Sequence, residues 1–146
     1  MQIFTRLCSL FVFGITAVPI VQAETVWSVG HGYLSGGVLG VQYQTINDDQ
    51  KWTLALGLLG ASAGWQVSLD PEQKHSVGFA AGLEEFTAES GFLVASYQFH
   101  PQGFRNSGMR WGFSAGLRRE DEGGWWSEQG KPKNEAAAAL EIGYQF

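Results

Sequence analysis

The 146-residue chain is 45 % apolar, 14 % aromatic and only 16 % charged, with a formal net charge of −5. One cysteine excludes a disulfide framework, and the acidic balance gives no support for nucleic-acid binding. The length suits one domain.

In chain order, the first predicted element is a leader. Residues 1–23 carry one charge, Arg6, then an apolar run from Leu7 to Val21, with small residues at Val21 and Ala23. This is the build of a cleaved secretory signal peptide, leaving 24–146 as the mature domain. The run is about 15 residues and holds Pro19, too short and too interrupted to span a bilayer as a helix. Cys8 lies at the start of the apolar run and not after it, so a lipid-anchor cysteine is not expected.

After Ala23 the pattern turns to period 2. Eight runs are predicted as strands: Val26–Leu34, Gly37–Ile46, Lys51–Gly60, Ala63–Leu69, His75–Glu85, Gly91–His100, Met109–Arg119 and Ala136–Phe146. Leu39, Val41 and Tyr43 share one face of the second run, with Gly40, Gln42 and Gln44 on the other. Trp52, Leu54, Leu56 and Leu58 do the same in the third, and Trp111, Phe113, Ala115 and Leu117 in the seventh. Alternation stumbles at Leu58–Gly64, which is read as a tight glycine-rich hairpin.

The second face is rich in Gly, Ser and Gln and poor in Lys. That composition is odd for a solvated surface and suits the interior of a narrow eight-stranded barrel. The bulky face is then expected to meet lipid. With both ends of the domain on one side, the turns Asn47–Gln50, Asp70–Lys74 and Pro101–Gly108 fall together on the periplasmic side. The links near Ser35–Gly36, Gly60–Ser62 and Phe86–Ser90 become short external loops, and Glu120–Glu135 a long one.

Aromatics are predicted at two levels. Trp27, Tyr43, Trp52, Phe99, Trp111, Tyr144 and Phe146 lie toward the periplasmic ends, and Tyr33, Trp65 and Phe86 toward the external ends. Amphipathic rings favour headgroup depth in this way. The expected inward ionisable residues are Glu84, Arg110, Arg118 and Glu141. Cross-barrel pairs Arg118–Glu84 and Arg110–Glu141 are predicted, supported by Gln42, Gln66 and Gln98. Such an interior is packed, so no conducting pore is expected.

His31, His75 and His100 show no metal-ligand spacing, and neither a metal nor a cofactor is expected. His31 with Ser35 is the weak candidate for a nucleophile–base pair acting on a lipid ester; the alternative role for His31 is an interfacial side chain. Trp125 and Trp126 in the long loop are candidate anchors for a surface partner or lipopolysaccharide, or a lid over the barrel mouth.

The closing run, Ala136–Phe146, is apolar at every second residue and ends in IGYQF. It resembles the last strand of small eight-stranded bacterial outer-membrane β-barrels of the OmpX-like and OmpA-transmembrane-like kinds. That resemblance implies an all-β, antiparallel up-and-down transmembrane barrel in a Gram-negative outer membrane. It also implies recognition of Phe146 by the barrel-assembly machinery, and contact with outer-membrane lipid and lipopolysaccharide. The short early external loops depart from the protruding sheet of the OmpX-like proteins. The expected function is structural or surface-interacting rather than enzymatic. The alternatives are a lipid A- or phospholipid-modifying acyl hydrolase and a soluble periplasmic lipocalin-like binding protein. The soluble alternative requires the opposite register, with Gln42, Gln66 and Arg110 facing water.

Overall fold

The structure, a computed structural model, describes residues 23–84, 89–120 and 133–146. Eight strands follow one another: β1 (Glu24–Gly32), β2 (Gly37–Asn47), β3 (Gln50–Gly57), β4 (Gly60–Ser68), β5 (His75–Glu84), β6 (Glu89–Phe99), β7 (Gly108–Glu120) and β8 (Lys133–Gln145). Each pairs antiparallel with the next, and β8 pairs with β1 to close a barrel in sequence order. The predicted all-β, eight-stranded antiparallel barrel is the fold observed.

Glu24 and Phe146 lie at one end, here called the base, and the opposite end is the rim. The β2–β3, β4–β5 and β6–β7 connections are at the base with the termini. Alternation sets the two faces. In β2, Gly40, Gln42, Gln44 and Ile46 are buried while Leu39, Val41 and Tyr43 are exposed outward. The same period holds in β3, where Lys51, Thr53 and Ala55 point in and Trp52, Leu54 and Leu56 point out.

Leu58–Leu59 is a two-residue turn, so the glycine-rich hairpin is present, but β4 starts at Gly60, before the predicted Ala63. Trp65 therefore lies opposite Trp52 in the lower half of the wall, not near the rim as expected. The early start follows from Gly60–Ala63, whose small side chains continue the ladder with β3 and β5.

The β1–β2 link also departs from expectation. Instead of an external loop, Tyr33–Ser35 forms a single 3-10 turn tucked inside the barrel, with Leu34 and Ser35 buried. Gly36 ends it at φ 73°, a left-handed conformation that glycine adopts without a steric penalty. The facing positions are glycines for a steric reason: a Cβ at Gly40 would overlap the Ser35 carbonyl, and one at Gly57 the Gly36 carbonyl. Tyr33 is thus not a rim aromatic; its ring packs on Phe92 at 4.7 Å.

The base is closed from inside as well. Phe104, in the β6–β7 connection, is fully buried against Val26 and Ile46. Its N–H donates to the Gln73 carbonyl at 2.7 Å, and its carbonyl accepts from Gln145 Nε2 at 3.3 Å. The interior therefore lies between two inserted segments.

Candidate functional site

Two surfaces carry chemistry, the polar interior and the apolar outer wall. Gln42 on β2 is the hub of the interior. Its Nε2 donates to the Leu34 carbonyl (2.9 Å) and to Ser35 Oγ (2.8 Å). Its Oε1 accepts from Ser28 Oγ (2.8 Å), Gln44 Nε2 (2.6 Å) and Arg110 Nη2. The side chain that fixes the inserted turn is thus also the one that orients Arg110.

Arg110 donates further, through Nη1 to Gln98 Oε1 at 3.1 Å. Glu141 accepts from Ser114 Oγ at 2.6 Å and from the Leu34 N–H at 3.5 Å. Arg110 and Glu141 attract electrostatically but form no ion pair within 4 Å; Gln98 and Gln42 accept from the Arg110 Nη atoms and Ser114 donates to Glu141 instead, while Arg110 Nε has no hydrogen-bond partner. The register explains this, since Arg110 stands opposite Gly143, one step nearer the base than Glu141. Arg118 bonds Glu135 on the neighbouring strand at 3.5 Å. The side chain of Glu84 lies outside the described residues, as do Phe86, Trp125 and Trp126 and residues 1–22.

Gln66 is fully buried, and neither amide atom has a protein partner; Thr53 Oγ1 and Ser96 Oγ are in the same position. Buried polar groups of this kind bind internal water in folded proteins.

Sequence reasoning missed Lys51. It is fully buried, donates to Gln145 Oε1 at 2.7 Å and holds its ammonium 4.1 Å from the centre of the Phe104 ring. A ring face attracts a cation, so Phe104 and Gln145 share the role that a carboxylate would play. The signal was present: Lys51 has the parity of Thr53 and Ala55.

His31 and Ser35 are not brought together. His31 is exposed on the outer face, its ring Nδ1–H donating to the Val38 carbonyl at 2.7 Å. Ser35 is buried in the interior, held by Gln42. The wall stands between them, and among the described residues His31 bonds no hydroxyl. Among the described residues, no three His, Cys, Asp or Glu side chains gather to hold a metal ion.

The outer wall is apolar all round. Leu56 is 73 % exposed, Leu140 69 % and Leu54 62 %, and Leu83, Leu93, Phe113 and Leu117 continue the band. Below it, Trp27, Tyr43, Trp52, Trp111, Tyr144 and Phe146 are exposed in a belt near the base. Ring contacts knit it: Trp27–Tyr43 at 5.3 Å, Trp52–Trp65 at 6.5 Å, Phe99–Trp111 at 5.5 Å and Tyr144–Phe146 at 5.2 Å. Among the described residues this is a single belt, because Tyr33 turns inward and Trp65 joins the lower level.

No protein-family model matches the chain, and no curated protein and no solved structure is significantly similar to it.

Proposed function

We propose that the chain is a small integral outer-membrane β-barrel of a Gram-negative bacterium, with a structural or surface-interaction role and no open pore. One observation carries this reading, the inside-out distribution of polarity. Gln42 and Gln66 are 0 % exposed and Arg110 2 %, while leucines around the wall are more than half exposed. Water would drive that distribution to invert, and hydrocarbon favours it. The soluble lipocalin-like alternative needs these glutamines and Arg110 outside.

The other features agree. From the base up to the His31–Ile142 pair, closure satisfies the backbone hydrogen bonds that lipid cannot, and the aromatic belt matches the preference of amphipathic rings for headgroup depth. Residues 1–23 then serve as the export signal and are removed. In this reading β8 with Phe146 is offered to the barrel-assembly machinery, and lipid and lipopolysaccharide surround the wall. The Tyr33–Ser35 turn and Phe104 inside the barrel, with the hydrogen-bonded side chains between them, support a packed scaffold over a porin. The test is fractionation of cells expressing the protein, with detergent extracts run on gels unheated and boiled. Recovery in the outer membrane with a faster-migrating unheated band is expected. Recovery as a soluble periplasmic protein would overturn the reading.

A further inference from the structure

Strand β1 leaves the wall early. At Gly32, φ 113°, the chain turns into the barrel, and its last pairing with β8 before that point is His31 opposite Ile142. Strand β8 continues toward the rim from Glu141 back to Lys133 with β7 on one side only. The strand position that β1 would have filled above Gly32 is therefore missing from the wall.

The direction of the free groups follows from one bond. Phe146 N–H donates to the Trp27 carbonyl at 2.8 Å, so the even-numbered residues of β8 aim their main-chain groups at β1. By the same alternation Leu140, Ala138 and Ala136 aim theirs past the end of β1. No main-chain bond on that side is formed by these three residues among the described ones. On its other side β1 is matched by β2 to the same height, Gly32 opposite Gly37, and at the bulge there the Val38 carbonyl is taken by His31 Nδ1–H. Among the described residues the β8 edge has no such cap. Its pairing with β7 runs without a bulge from Gly108–Gln145 to Glu120–Lys133, so the edge is straight. Side chains at Ala136 and Ala138 are too small to fend off a neighbour. Natural edges are usually protected by bulges, prolines or charges, and among the described residues of this edge the charges are Lys133 and Glu135 at its upper end.

We propose that the β8 edge from Ala136 to Leu140 is a strand-addition site that takes an extended segment of another protein. Main-chain ladders of this kind supply affinity, and alternate side chains supply specificity. Ala136, Ala138 and Leu140 face outward beside the apolar band, so the incoming segment carries small or apolar residues at alternate positions and no charge between them. A second copy of this chain does not fit. Copies sharing one membrane orientation carry β8 strands running the same way, each tilted by about 35–45°, and these cross instead of aligning. That exclusion rests on the membrane reading above; the free edge does not.

The test uses the full barrel folded in detergent micelles and a synthetic peptide of residues Trp111–Arg119, WGFSAGLRR. This sequence already ladders with β8 from its other side. In the free protein, amide exchange at Ala136, Ala138 and Leu140 is expected to be on the order of 100-fold faster than at Ala137 and Ala139, which face β7. Saturating peptide is expected to slow the three amides at least about tenfold. Ala138→Pro removes a donor on the open side only and is expected to weaken peptide binding about tenfold, with Ala138→Val restoring it. Protection of the three amides already in the free protein, or no slowing at millimolar peptide, overturns the proposal. If Ala138→Pro does not fold, the wild-type exchange pattern decides alone. Exchange is read on the folded barrel, so its outcome is separate from where the cell sends the protein.

Discussion

Gln42 and Arg110 show how a few side chains hold an interior that has little apolar core. Removing Arg110 strips Gln42, Gln98 and Ser28 of a donor and leaves the Glu141 charge without its opposite in a sealed interior. Arg110→Ala is therefore expected to lower unfolding stability by about 1–3 kcal/mol, the cost of leaving buried amide and hydroxyl oxygens without a donor. Lys51→Met keeps the volume, loses one bond to Gln145 and replaces a buried cation with an apolar chain on Phe104. It is expected to leave stability unchanged or raise it by about 1 kcal/mol. Urea titration of the refolded protein in detergent checks both. Parity alone made Gln42, Gln66, Gln98, Arg110 and Glu141 legible as inward residues. Lys51 was hidden by its neighbours, because a lysine next to the Asn47–Gln50 turn reads as a solvated turn residue. The partners of Arg110 were hidden for a different reason. Parity gives the face but not the height, and one step along β8 decides between an ion pair and a bond to glutamine.

The two inserted segments close the barrel at the level of elements. Neither was legible in sequence: Tyr33–Ser35 has the composition of an ordinary loop, and only the glycines at 36, 40 and 57 reveal that backbone passes close to backbone there. Gly36→Val forces a β-branched residue to φ 73° and sets its Cβ 2.8 Å from the Gly57 nitrogen. A loss of at least about 2 kcal/mol is expected from the conformational term and the clash together, read as a lower urea midpoint. At the base, His100 lies one residue beyond β6, with Nε2 3.2 Å from Ser76 Oγ and its ring against Phe104. Burial first, then the charges of Lys51 and Arg110, push its pKa down from 6.5 to about 2. The folded protein thus keeps this ring neutral while the unfolded chain protonates it below its ordinary value. Its contribution is complete above about pH 6.5 and is lost as pH falls below that. Between pH 7 and pH 5 the wild type is expected to lose more stability than His100→Gln, measured by thermal midpoint in the same detergent. Equal losses would show that His100 does not titrate with unfolding.

The barrel itself was the most legible feature of the whole molecule, because eight alternating runs admit few other closed solutions. What alternation could not place was Trp65, whose level depends on where β4 begins, and Gly60–Ala63 is too small-sided to announce a strand. With the Tyr33–Ser35 turn tucked inside the barrel and Phe104 buried at the base, the protein reconstituted in planar bilayers is expected to show no stepwise conductance. Regular single-channel steps would mean that the Tyr33–Ser35 turn or the Phe104 segment withdraws. The seams of the barrel are uneven. β7 and β8 are joined by thirteen register pairs, whereas β8 and β1 are joined by four, from Ser28–Gln145 to His31–Ile142. The weakest seam also joins the residues farthest apart in sequence, so its loop-closure entropy is the largest of the eight. A mechanical pull on the two termini loads that seam first. Its rupture frees β1 on one side and β8 on the other, and the wall then peels hairpin by hairpin toward the middle of the chain.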